Sequence, residues 1–239
     1  GNMENCGTPC AEPLYLLKST DKGATWQNIT QGLPNPIRRL EGLTVAPDST
    51  VTYRWVYAAV NGDVYLSEDD GVSWAKVLDC PNDDCFRIYY TDTNGVLALS
   101  AGAVYRSWQG GSAGTWDQLT LPATMTSGWT PGQHWLHDVW TYSGPMDLAS
   151  RGGNIWVAVK GTGKGLYRSA DYGQSWTRVR ADDQGRTVTV NASTGRVYFG
   201  SSSAVHAGGY DTTSQGVVTS ADGATGWTAR SGLGSVDGG

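Results

Sequence analysis

"SADYGQSW" occupies residues 169–176, and its frame recurs as "STDKGATW" from Ser19, "SEDDGVSW" from Ser67 and "SADGATGW" from Ser220. Ser19 and Ser67 are 48 residues apart, Ser169 and Ser220 are 51, and Ser67 and Ser169 are 102, which is twice 51. One more copy is therefore expected near residue 118. "SWQGGSAGTW" at 107–116 supplies it, with Gln109 where the others carry Asp and two extra residues. A fixed period near 50 marks a repeat architecture.

The run before each box is strand-like: "LYLLKS", "DVYLS", "AVYRS", "GLYRS" and "GVVTS". Apolar and polar residues largely alternate, and β-branched or aromatic types dominate. After each box the Trp leads another short run, so the box is the turn of a hairpin. Its residues suit that role. Asp accepts hydrogen bonds from backbone amides of its own turn, Ser adds a second local bond, and Gly supplies positive φ. Trp offers apolar surface to a neighbouring unit. The box residues are accordingly read as structural: Ser19, Asp21, Gly23 and Trp26; Ser67, Asp69, Gly71 and Trp74; Ser169, Asp171, Gly173 and Trp176; Ser220, Asp222 and Trp227. These four Trp and Trp116 are expected to be buried between strands.

Upstream of each hairpin lies a second pair. "WVYAAVNG" (55–62), "GVLALSAG" (95–102), "NIWVAVKG" (154–161) and "GRVYFGS" (195–201) align as one strand. "RRLEGLTVAP" (38–47), "FRIYYTD" (86–92), "QHWLHDVWTY" (133–142) and "RTVTVNA" (186–192) precede them as another. Four short strands, A to D, repeated at this period are a propeller blade. The expected fold is an all-β propeller segment of four-stranded antiparallel blades, about four and a half of them. The repeats fall at about 14–32, 38–80, 86–120, 133–180 and 186–230. Strands C and D occur five times but A and B only four, so further blades from a longer chain or another subunit are expected to complete the ring.

On these boxes the chain resembles the Asp-box, or BNR-repeat, β-propellers. That superfamily includes sialidases, xyloglucanase-type glycoside hydrolases, sortilin-type receptors and photosystem-assembly propellers. The resemblance runs from Leu14 to Arg230 and implies the fold. It also implies that the boxes lie on the face remote from any active site.

The net charge of −5 and the absence of a Lys/Arg cluster argue against nucleic acid. No apolar run reaches the ~18 residues of a membrane span. Gly is 33 of 239 residues, roughly double the usual share, as many tight turns require. Four Cys form two local pairs, Cys6/Cys10 and Cys80/Cys85. One zinc site is the alternative, but neither pair has CxxC spacing. Two loop-stapling disulfides are expected, and with them an oxidising, extracellular or cell-surface location. No metal and no cofactor is assigned.

In a propeller the D–A and B–C connections share one face, opposite the boxes. Strand A is innermost, so its starts ring the mouth of the axis. Arg39, Arg87, His134 and Arg186 fall there, with Trp129 and Trp135 at the edge. Loops on a rigid scaffold usually carry binding. Sialidases hold a carboxylate with three arginines, but no Arg-Ile-Pro motif accompanies these. The bland alternative pairs the arginines with Glu41, Asp83 or Asp84. The stretch "HWLHDVW" (134–140) concentrates polar and aromatic groups, and His137 reads equally as a satisfied core residue. A hydrolase would need two facing carboxylates, for which Asp138 and Asp92 are the candidates. No facing pair is evident. The expected function is an extracellular binding or structural module for a glycan or protein ligand, with a glycoside hydrolase as the alternative.

Overall fold

The computed structural model describes residues 14–46, 55–80, 85–91, 95–127, 143–201, 205–206, 209–210 and 216–229. Four antiparallel sheets of four strands follow one another along the chain. Blade 1 contains β3 (Leu40–Val45), β4 (Val56–Val60), β5 (Asp63–Ser67) and β6 (Ala75–Leu78). Blade 2 contains β7 (Cys85–Tyr90), β8 (Val96–Ser100), β9 (Val104–Ser107) and β10 (Asp117–Leu119). Blade 3 contains β11 (Gly144–Arg151), β12 (Asn154–Lys160), β13 (Gly165–Ser169) and β14 (Thr177–Ala181). Blade 4 contains β15 (Gly185–Val190), β16 (Val197–Ser201), β19 (Val217–Ser220) and β20 (Thr228–Ala229). A half-blade of β1 (Leu17–Lys18) and β2 (Gln27–Asn28) precedes them. The described chain is thus an all-β propeller segment of four and a half blades. Its one helix among the described residues is a single turn, α1 (Ala123–Thr126), in the connection from β10 to β11. A small hairpin, β17 (Val205–His206) with β18 (Gly209–Tyr210), lies in the connection from β16 to β19.

The second strand of each sheet is covered on both faces and reads as a near-continuous apolar run, and β4 and β8 are buried throughout. The core is divided among the blade interfaces. One cluster joins Leu16, Ile29 and Leu33 to Ala58, Val60 and Tyr65 of blade 1. The next joins Tyr57, Val64 and Leu66 to Ile88, Val96 and Ala98 of blade 2. Phe86, Leu97 and Leu99 then meet Ile155, Val157 and Tyr167, and Trp156 and Leu166 meet Val188, Val197 and Phe199.

The four inner strands share one irregularity. Glu41, Phe86, Met146 and Arg186 are each an extra residue between two ladder pairs, so each inner strand bulges at the same register. The bulge lets Cys85 and Ile88, three apart, enter the same cluster.

The inner strand of blade 3 corrects the sequence expectation. The strand paired with β12 runs over Gly144–Arg151, and residues 133–142 lie outside those described. Gly144-Pro145 reads as a breaker, but β11 is an edge strand and Pro145 sits just before its bulge, where a missing N–H is tolerated.

The box Trp residues are also less hidden than expected. Trp74, Trp116, Trp176 and Trp227 are half-buried, each against an inter-blade cluster. Trp26 is 62% exposed. The reason lies in its neighbourhood: the box of the half-blade has no covering blade on its near side among the described residues. Matched positions agree. Leu17 is 48% exposed, whereas Tyr65, Tyr105, Tyr167 and Val218 are between 1% and 9%. Leu43 is 52% exposed, whereas Ile88, Leu148 and Val188 do not exceed 7%.

The boxes form one hydrogen-bond pattern. Ser169 Oγ donates to Asp171 Oδ1 (2.7 Å) and accepts from the Gly173 amide (2.7 Å). Asp171 accepts from the Ser175 amide (2.9 Å) and hydroxyl (2.5 Å). Ser19/Asp21/Thr25, Ser67/Asp69/Ser73 and Ser220/Asp222/Thr225 repeat it. In the copy lacking Asp, the Ser107 and Thr115 hydroxyls bond each other directly at 2.7 Å.

Candidate functional site

The starts of the inner strands meet at one end of the blades. Register decides what each contributes. Gly42, Arg87, Asp147 and Thr187 each follow the bulge and occupy the same station in successive blades. Arg186 is itself a bulge residue, and Arg39 precedes β3, so the three arginines named from the sequence stand at three different stations.

The shared station is a polar ladder. Arg87 Nη1 donates to the Glu41 carbonyl of blade 1 at 3.0 Å, and its Nε lies 3.8 Å from Asp147 Oδ1 of blade 3. Asp147 Oδ2 accepts from Thr187 Oγ1 (2.6 Å) and from the Val188 amide (3.1 Å) of blade 4. One chain of contacts therefore crosses all four inner strands. Gly42 leaves the space for this approach, since a Cβ there would lie 3.2 Å from the Arg87 Cα and 3.0 Å from the Ile88 amide. Arg87 keeps 44% of its side chain in solvent, while Asp147 keeps 22%. Arg39 lies 3.8 Å from Glu41 Oε2, and Arg186 is half-buried.

The turn between β4 and β5 fixes the adjoining loop. Asn61 and Gly62 adopt φ of 52° and 88°, the two-residue turn that favours Asn-Gly. Asn61 Oδ1 accepts from the amides of Arg38 (2.7 Å) and Arg39 (3.1 Å), and its Nδ2 donates to the Pro36 carbonyl (3.1 Å). Beside this loop is a concavity of about 790 Å³ lined by Tyr15, Gln31, Pro34, Pro36 and Ile37 among others. On the next connection, Cys80 and Cys85 form a disulfide with Cα atoms 5.9 Å apart. Asp63, buried beside it, accepts from the Cys80 amide and lies 3.2 Å from Lys76 Nζ. Burial raises its carboxyl above the ordinary value, against the hydrogen bonds that lower it.

His134, Trp129, Trp135, Asp138, Asp92, Cys6 and Cys10 lie outside the described residues. Among the described residues, no group of three His, Cys, Asp or Glu could hold a metal ion. No helix among them is long and apolar enough to cross a membrane.

Sequence reasoning missed Asp147. An inner strand read from the aromatic run at 133–142 hides the station where Asp147 stands beside Arg87. The signal that locates it is spacing: "NIWVAVKG" needs a partner strand ending within two or three residues of Asn154.

No protein-family model matches the chain, and no curated protein sequence does. Solved β-propellers share its fold. A xyloglucanase of glycoside hydrolase family 74 from Xanthomonas campestris matches at 20% identity and TM-score 0.56, covering 90% of this chain and 27% of that one. The extracellular domain of a putative one-component system from B. thetaiotaomicron matches at 13% and 0.55, covering 90% and 26%. YCF48 from Cyanidioschyzon merolae matches at 15% and 0.51, covering 84% and 59%. The chain thus spans less than two thirds of each of these proteins.

Proposed function

We propose that the chain is part of an extracellular Asp-box propeller that binds a glycan or protein ligand at the mouth ringed by its inner-strand starts. The observation that carries this reading is the Arg87–Asp147 pair. A guanidinium oriented on one side by the Glu41 carbonyl and on the other by a carboxylate belongs to a side chain that keeps 44% of its surface in solvent. Its planar fork suits carboxylate or hydroxyl groups of a ligand. Arg39, Arg186 and the concavity beside Pro34 and Pro36 adjoin it on the same end of the blades. The Cys80–Cys85 disulfide supports an oxidising compartment.

The test is a glycan array and a peptide array, followed by titration of the retained probe against wild type, Arg87→Ala and Trp135→Ala. Weakened binding in either variant supports the reading. A retained probe that neither change weakens places the site elsewhere. Release of reducing ends from an oligosaccharide probe would assign the hydrolase alternative instead.

A further inference from the structure

The opposite face of the propeller, where the boxes lie, carries two exposed rings that the boxes do not use. Trp108 is 37% exposed and Tyr172 44%. They come from the boxes of blades 2 and 3, and their centroids are 5.3 Å apart with planes at 85°. Matched positions in the other boxes are small or polar. Trp108 corresponds to Thr20, Glu68, Ala170 and Ala221; Tyr172 corresponds to Lys22, Asp70, Gly110 and Gly223. The box bonds use Ser, Asp and Thr side chains together with backbone groups, so neither ring is required to form its turn.

The two rings are held rigidly. Trp108 sits on Gly95, where a Cβ would come within 2.4 Å of its ring. Tyr172 sits on Gly153, where a Cβ would come within 2.6 Å. The Tyr172 amide donates to the Gly153 carbonyl (3.1 Å), and its own carbonyl accepts from Arg106 Nη1. The Arg106 guanidinium also lies 5.3 Å from the Trp108 ring centroid and 3.4 Å from Asp117. Asp117 is itself mostly in solvent.

We propose that Trp108 and Tyr172 form a carbohydrate-binding corner for a neutral pyranose-containing glycan. A pyranose has apolar C–H faces that stack on aromatic rings and equatorial hydroxyls that bond to polar groups at its rim. Two perpendicular rings meet one sugar on a face and an edge, and Asp117 supplies an acceptor for its hydroxyls. Rings already fixed by glycine seats and an arginine lose little freedom on binding. The Arg106 charge is already committed to Asp117 and to the Tyr172 carbonyl, which favours a neutral ligand over an anionic one. This corner is independent of the inner-strand mouth at the other end of the blades.

The test is affinity electrophoresis of the full chain in gels containing galactomannan, hydroxyethyl cellulose or amylopectin, with a polyproline peptide in a parallel titration. The variants are Trp108→Ala, Tyr172→Asn (Asn tolerates the left-handed backbone at this site) and, as a control in the box of blade 1, the exposed Val72→Ala, each checked for an unchanged melting temperature. At least one polysaccharide is expected to retard the wild type. Trp108→Ala and Tyr172→Asn should each weaken that interaction about tenfold, the size expected for losing one stacked ring. Val72→Ala should leave it unchanged. The proposal is overturned if no polysaccharide retards the chain, if neither ring variant weakens retardation, or if only the polyproline peptide binds.

Discussion

The Tyr57 hydroxyl reaches out of blade 1 and donates, at 2.8 Å, to the Gly110 carbonyl in the box of blade 2. The same box carbonyl is engaged at every described blade junction, by a different donor each time. Lys18 Nζ takes Asp70 (3.0 Å), Arg106 Nη1 takes Tyr172, and Trp156 Nε1 takes Gly223 (2.9 Å). The boxes therefore fasten blade to blade as well as turning their own hairpins. Tyr57 is fully buried, and burial pushes its phenol far up, so it stays a neutral donor. Tyr57→Phe should leave the carbonyl without its partner and cost about 1–3 kcal/mol. Urea unfolding of the two proteins measures this, and an unchanged midpoint would contradict it.

Glycine at the fifth box position should matter in proportion to what lies against it. A Cβ on Gly173 would stand 2.3 Å from Leu119 of the preceding blade, whereas on Gly23 it meets nothing nearer than Trp26 at 3.8 Å. Both have φ near 92°. Gly23→Ala should cost the left-handed backbone penalty alone, about 1–2 kcal/mol. Gly173→Ala should cost a further ~1–3 kcal/mol for overpacking. Equal losses in calorimetry would show that the inter-blade contact is not tight.

Acid should loosen the boxes together. Bonds from the Thr25, Ser73 and Ser175 hydroxyls hold Asp21, Asp69 and Asp171 at about 2, down from 3.8. Asp222 is lowered chiefly by the Thr225 amide. A depressed carboxyl contributes stability above its unfolded value and loses it as pH falls through the folded one. Urea midpoints should therefore hold steady down to about pH 5 and drop between 3.8 and about 2. Asp21 and Asp222 are exposed and Asp69 and Asp171 only half-buried, so each contribution is modest. A quadruple Asp→Asn variant should show a shallower acid decline than wild type, and an identical decline would rule the boxes out as its source.

The two partners in the inner ladder should separate by variant. Asp147→Ala strands the Thr187 hydroxyl and the Val188 amide and should cost about 1 kcal/mol, the low end for a partly exposed site. Arg87→Ala should cost less than that, because its side chain is twice as exposed as that of Asp147. Thermal melts of both decide, and a larger loss from Arg87→Ala would make it chiefly a structural residue.

The blade architecture was legible because the box is a local pattern: Ser, Asp and Gly act within eight residues, and their spacing survives in the sequence. The Asn-Gly turn at 61–62 is legible for the same reason. The junctions were not. Lys18, Tyr57, Arg106 and Trp156 do one job with four chemistries, so no motif marks them. The ladder was hidden differently, since Arg87 and Asp147 are matched only after a bulge residue is counted in each strand. Pro145 then concealed the strand that carries Asp147, because its tolerance there depends on an edge position that composition does not reveal.

That extra residue gives each inner strand a point of slack. The residues on either side of Glu41, Phe86, Met146 or Arg186 pair with consecutive residues of the next strand, so the ladder can close over the gap much as a reading frame survives the loss of a whole codon. Deleting one of these four residues would regularise the ladder and leave Ile88 opposite Ala98 and Leu148 opposite Val157, each still facing the core. Deleting a residue inside the regular part would instead turn one side of the strand over. Loss of a single residue is thus tolerated at one station of each inner strand and disruptive beyond it.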